Sequence, residues 1–251
     1  DPLGLNLLYA TYLGGTNLDQ PHSLIANENG ELFIFGRTNS SNFPTRNGFD
    51  DSYNGGFDMF LTKLSFDGLR MISSTYIGGS RDDGVNGSPS YTDFTAPPKY
   101  NYGDDARGEI FLDSEGNVLI GGPTQSTNFP FTPGTYSTPN FGNQAGVIAK
   151  LSPRLDRLIW ASRFGGSGYN SIYAIKVDES DNVLFAGGTS SNDLPANGAV
   201  RFPQGGITDG YIGKLSANGQ SLMASSYLGT NRYDQIYLMD TDKDGNVYVT
   251  G

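Results

Sequence analysis

Apolar and polar residues alternate along this chain in short runs, and the runs return in a fixed order. Residues 175–195 read IKVDESDNVLFAGGTSSNDLP: an alternating run, an acidic turn, a second run ending in Gly187-Gly188, and a Thr-x-Ser segment closed by Leu-Pro. The same sentence is IANENGELFIFGRTNSSNFP from Ile25, IFLDSEGNVLIGGPTQSTNFP from Ile110, and LMDTDKDGNVYVTG at the end. A second phrase precedes each: LLYATYL at 7–13 before Gly14-Gly15, ISSTYIGG at 72–79, IWASRFGG at 159–166 and MASSYLG at 223–229. Gly14 to Gly78 is 64 residues, Gly78 to Gly165 is 87, and Gly165 to Gly229 is 64. Such a period ranks above any local propensity.

Period-two alternation rich in Val, Ile, Tyr and Phe, bounded by Gly, Asn and Asp, predicts strands, and no long stretch has the 3.6 period of an amphipathic helix. Each unit carries four strands. In the first they fall at 23–26, 32–36, 58–64 and 71–76, and 7–13 reads as a fourth strand with no preceding three. The third strands of later units are AGVIAKL at 145–151 and DGYIGKL at 209–215. Tight hairpins at 27–30, 113–116, 178–181 and 242–245 join strands one and two. Asn or Asp at the first position bonds the backbone two residues on, and Gly or Asp181 takes the left-handed conformation. The apolar residue before each Pro (Phe43, Phe129, Leu194) plugs the end of the sheet.

Four antiparallel strands per unit describe a β-propeller blade. The expected fold is all-β: three full blades in units 14–77, 78–164 and 165–228, plus partial blades, the last at 229–251, as a segment of a larger propeller. A tandem array of sandwiches fits less well, because no linkers separate the units. The second unit carries an insertion of about 22 residues at 82–103, rich in Pro, Tyr and Asn, expected between strand four of one unit and strand one of the next. An insertion confined to one repeat maps to one face, often the binding face.

The phrases Ala10-Thr-Tyr-Leu-Gly-Gly15, Ser74-Thr-Tyr-Ile-Gly-Gly79, Asp242-Lys-Asp-Gly-Asn-Val-Tyr-Val-Thr-Gly251 and Asp58-Met-Phe-Leu-Thr-Lys-Leu64 resemble the seven-bladed β-propeller repeats called SBBP repeats. The resemblance covers nearly the whole chain apart from the insertion. It implies a large secreted or surface-anchored bacterial protein, in the Bacteroidota often a type IX secretion substrate or a gliding-associated or adhesion protein. The family has no agreed catalytic motif, so no catalytic residue is carried across.

Composition narrows the chemistry. The 251 residues hold 35 glycines and 17% charged residues, which suits short strands joined by turns. Net charge is −10 and no basic stripe exists, which argues against nucleic acid. There is no cysteine and one histidine, His22, which removes disulfides, thiolate sites and multi-histidine zinc. No run of ~18 apolar residues spans a membrane as a helix. The chain opens Asp1-Pro2-Leu3, so its start reads as processed or cut.

Two candidate sites remain. Asp240-Thr-Asp242-Lys-Asp244-Gly245 places three carboxylates on alternating positions before a Gly, the first half of a calcium loop. Against calcium, the twelfth position is Gly251, and the other hairpins form without the triple Asp. Tyr91, Tyr100 and Tyr102 in the insertion could form a rigid partner-binding patch. Trp160, in place of Ser73 on an outer strand, suits packing between blades. The expected function is a non-catalytic scaffold or interaction module at the cell surface or outside the cell, with a protein or surface-glycan partner and no cofactor. A carbohydrate-active enzyme with a site in the propeller funnel and a calcium-dependent adhesin are the alternatives.

Overall fold

The computed structural model describes residues 3, 5–7, 9–87, 107–139, 142–197 and 205–251. Among them all regular structure is strand. The first blade is β1 (Asp19–Ala26), β2 (Leu32–Thr38), β3 (Asp58–Leu64) and β4 (Met71–Ile77). The second is β5 (Glu109–Leu112), β6 (Val118–Thr124), β7 (Ala145–Leu151) and β8 (Leu158–Phe164). The third is β9 (Asn170–Val177), β10 (Val183–Thr189), β11 (Asp209–Leu215) and β12 (Leu222–Leu228), and β13 (Leu238–Thr241) pairs with β14 (Val247–Thr250). Each full blade is a four-stranded antiparallel meander in sequence order, the β-propeller unit.

The hairpins between first and second strands follow their turn residues. Gly30, Gly116 and Gly245 have φ of 74°, 75° and 80°, and Asp181 takes the same place with φ 58°. The side chains of Asn27, Asp113, Asp178 and Asp242 each accept an amide two residues on, at 2.9–3.1 Å.

The blades pack face to face, so the core lies between them. Phe33, Phe35, Met59 and Leu61 of the first blade interdigitate with Ile110, Ile120, Val147 and Leu151 of the second. Ile148, Trp160 and Phe164 of the second meet Ile175, Phe185 and Tyr211 of the third. Every residue of β3 and β7 is buried, the polar Asp58, Thr62, Lys63 and Lys150 included. Ile110, Ile175 and Met239 share one register position and are 3%, 0% and 5% exposed. Leu24, at that position in the first blade, is 65% exposed, because among the described residues no blade packs in front of it.

Two expectations need correction. Residues 9–13 do not form a strand: among the described residues they make no ladder with a neighbouring strand. They still occupy the place of an outer strand: Tyr9 lies against Gly68 as Trp160 of β8 lies against Gly219, and Leu13 packs on Phe43, Phe60 and Tyr76. The insertion also sits elsewhere than expected. Asp83 bridges Thr124 of β6, and the Gly84 amide donates to Pro123 O at 2.9 Å, so strand one of the second blade begins there and resumes at Glu109. The extra residues interrupt the innermost strand and do not precede it.

Candidate functional site

The polar residues of the repeat converge on the joints between blades. At the first-to-second joint, Asp83 accepts the Gly79 amide at 2.7 Å, the Ser126 hydroxyl at 2.9 Å and the Thr124 hydroxyl. Asn128 accepts the amide and hydroxyl of Ser80, both at 2.9 Å. The same clasp recurs around Asp19, which takes Gly15, Thr38 and Ser40, with Thr16 on Asn42. It recurs around Asn170, which takes Gly166, Thr189 and Ser191, with Ser167 on Asp193. The Gly-Gly phrase and the Thr-x-Ser phrase are therefore two halves of one joint, each carried by a different blade. The tyrosine of the outer strand closes the same loop. Tyr76 donates to Ser40 O at 2.7 Å and accepts the Phe43 amide at 3.0 Å, and Tyr227 does likewise with Ser191 and Leu194.

The lysine of each third strand pairs with a carboxylate of its own blade's first hairpin, and Lys63 also donates to Pro153 O of the second blade at 3.4 Å. Lys63 pairs with Glu31 at 2.8 Å, Lys150 with Asp113 at 2.5 Å and Lys214 with Asp178 at 2.6 Å. Burial opposes ionisation of Asp113 and Asp178, but the lysine and the Asn117 or Asn182 donors outweigh it. Asp113 ends below the usual carboxylate range and Asp178 at about 2.

Asp242 is the counterpart of Asp113 and Asp178 in the fourth hairpin. Its carboxylate accepts the Asp244 and Asn246 amides, the Asn246 side chain at 2.8 Å and the Tyr248 hydroxyl at 3.1 Å. Asp240 instead faces Lys176, at 3.6 Å. Among the described residues no group of three or more His, Asp or Glu side chains gathers in a form that could hold a metal ion, so Asp240, Asp242 and Asp244 are not brought together as one.

The inner strands β1, β5, β9 and β13 form the axial wall. β1 and β9 each carry a bulge, at His22 and Tyr173. Asn86 stands the same number of residues after Asp83 as these do after Asp19 and Asn170, so it occupies the position that carries the bulge in the first and third blades. The roots of the insertion are tightly held. Asn86 donates to the Tyr173 hydroxyl at 3.0 Å, Gln144 donates to Asn86 at 2.9 Å, and the Gly87 amide donates to Gln144 at 2.6 Å. All four side chains of this network (Asn86, Gln144, Ser171, Tyr173) are buried, and burial raises the Tyr173 phenol far above its ordinary value. At the other root, Glu109 accepts the Ile175 amide at 2.7 Å, and burial raises its carboxyl. Lys176 lies 4.9 Å over the Phe111 ring. His22 is edge-on to Phe35 at 5.7 Å.

Tyr91, Tyr100 and Tyr102 lie outside the described residues. Trp160 is buried and donates to Ala217 O at 3.2 Å, as expected of packing between blades. On the hairpin rim, a groove of about 630 Å³ separates the first turns of blades one and two, lined by Asn27, Glu31, Phe33, Lys63 and Glu115. Sequence reasoning missed the clasp. Its signal was present: Asp19, Asp83, Asn170 and Asp234 each stand five residues after the first Gly of their phrase.

No family model and no curated protein matches the chain. Among solved structures it is similar to BamB from Moraxella catarrhalis, at 13% identity and a TM-score of 0.25, over 95% of this chain and 75% of that one. A likeness at that level carries no argument, and the fold rests on the sheets themselves.

Proposed function

We propose that the chain is an interaction module: a stack of clasped blades that presents loops rather than performing a reaction. The observation that carries this reading is where the non-repeated segment is rooted. Both its ends are anchored to the neighbouring structure: Asn86 and Glu109 bond Tyr173 and Ile175 of the third blade's inner strand, and the Gly87 amide donates to Gln144 of the second blade. Segments held by a rigid scaffold at one end of a fold are where binding residues concentrate. The polar side chains that recur in every blade are engaged in joints and hairpins, which further supports a structural use for them. The resemblance of its phrases to SBBP repeats supports a place outside the cell or on a bacterial surface, as part of a secreted or adhesion-associated protein. Tyr91, Tyr100 and Tyr102 are the proposed contacts for a protein or surface-glycan partner.

The test compares the chain with a variant whose residues 88–106 are replaced by a Gly-Ser linker and with the triple Tyr→Ser variant. Retention on bacterial envelope fractions and on a glycan array is measured, with unfolding midpoints as the control for folding. Loss of retention in folded variants supports the module. Unchanged retention, or turnover of any glycan in the panel, contradicts it.

A further inference from the structure

The joints between blades are built alike but charged differently. At the first-to-second joint two carboxylates, Asp58 and Asp83, press on Gly78, where even a Cβ would collide with both. Asp58 is fully buried. Its Oδ2 accepts the Asn54 amide at 2.7 Å, while its Oδ1 is buried with no hydrogen-bond partner. Asp50 faces it from the β2–β3 loop, Tyr53 and Tyr76 face it from the loop and β4, and Asp82 faces Asp83 and Tyr53. The neighbouring cations are directed elsewhere. Arg37 lies over Phe57 and donates to Gln20, and Arg81 is exposed. Among the described residues neither Asp58 nor Asp83 forms an ion pair.

The second-to-third joint has the same geometry without a buried carboxylate pair; its one clasp carboxylate, Asp193, is exposed and accepts the Ser167 amide and hydroxyl. Ala145 occupies the register position of Asp58, opposite Thr124 as Asp58 is opposite Thr38. Asn170 occupies that of Asp83. An isolated carboxylate removed from water takes up a proton rather than stay charged.

We propose that the joint between the first and second blades is a pH-responsive hinge, closed while Asp58 carries a proton beside Asp83 and loosened when both are ionised, and that the next joint is indifferent to pH. Burial, reinforced for Asp58 by Asp83 and Asp50 and for Asp83 by Asp82, raises Asp58 to about 7 and Asp83 to about 6. The folded joint thus holds protons that the unfolded chain releases near the ordinary carboxylate value of ~4. The contribution to stability is complete below that value and is lost as pH rises through 6 to 7.

The experiment is hydrogen–deuterium exchange by mass spectrometry on the whole chain at pH 5.5 and pH 8, corrected for intrinsic exchange. Peptides covering 54–60 and 78–84 should exchange roughly tenfold or more faster at the higher pH, while 165–171 stays unchanged. Asp58→Ala and Asp83→Asn, which install the residues found at the second joint, should each reduce that response, and together they should abolish it while retaining protection. Equal corrected rates at the two pH values in the wild-type chain would overturn the proposal. So would a full response persisting in the double variant. If Asp58→Ala fails to fold, a smaller response in Asp83→Asn supports the hinge, and an unchanged response in it counts against the hinge.

Discussion

The lysines of the three third strands offer a graded test, because one position of one motif sits at three depths. Lys150 and Asp113 are 11% and 0% exposed at their side chains, Lys63 and Glu31 are 10% and 26%, and Lys214 and Asp178 are 31% and 27%. Lys→Met at each keeps the aliphatic stem and removes the charge. Breaking a buried pair strands the partner and typically costs ~3–5 kcal/mol. Asp113 retains the Asn117 and Glu115 amides and the Asn117 side chain, which lowers the expected loss for Lys150→Met to ~2–3 kcal/mol. Lys63→Met should cost ~1 kcal/mol, including its position over the Phe33 ring, and Lys214→Met about 1 kcal/mol or less. Urea unfolding reads this directly: with a slope of ~2–3 kcal/mol per molar, Lys150→Met should shift the midpoint by about 1 M at unchanged slope. Equal shifts in the three variants, or the largest shift at Lys214, would refute the argument that burial of the pair sets its worth.

Three further outcomes follow from the same structure. Gly219 combines φ of +70° with the Trp160 ring 2.8 Å from where a Cβ would stand, so Gly219→Ala should destabilise by ~2 kcal/mol or more by thermal unfolding. Gly134→Ala, with φ +87° and open space around it, should cost only the backbone term of ~1 kcal/mol. Asp178 is held at about 2 by Lys214 and Asn182, so its contribution is present above the ordinary carboxylate value and lost as pH falls towards 2. The stability of Lys214→Met should therefore fall less steeply than that of wild type between pH 4 and pH 2.

The strands were legible because the pattern that marks them is the pattern that packs them. The third strands at 58–64, 145–151 and 209–215 match β3, β7 and β11 at both ends, since each is paired along its whole length on one edge and from its second residue on the other. The hairpins were legible because Asn27, Asp113, Asp178 and Asp242 act within their own turns. The clasp was not, since Asp83 bonds Thr124 and Ser126 across 41 and 43 residues, and a local reading assigns Thr-x-Ser to a loop. Spacing alone counts inserted residues without locating them. Only the shared distance from Gly78 to Asp83 places the start of strand one ahead of the insertion. The 7–13 phrase read as a strand because its side chains fit an outer strand, but a strand also needs a ladder partner, and sequence pattern does not report that.

The central claim is that Gly-Gly and Thr-x-Ser phrases lock successive blades together. Site-resolved amide exchange by NMR at pH 5.5 tests it through Gly79, Arg81, Ser167 and Gly168, whose amides donate to Asp83, Ser126, Asp193 and Ser191. The account predicts protection in these connecting segments comparable to that of β4 and β8. Exchange at the rates of free loops, beside protected strands, would mean the blades are stacked without clasps and would contradict it.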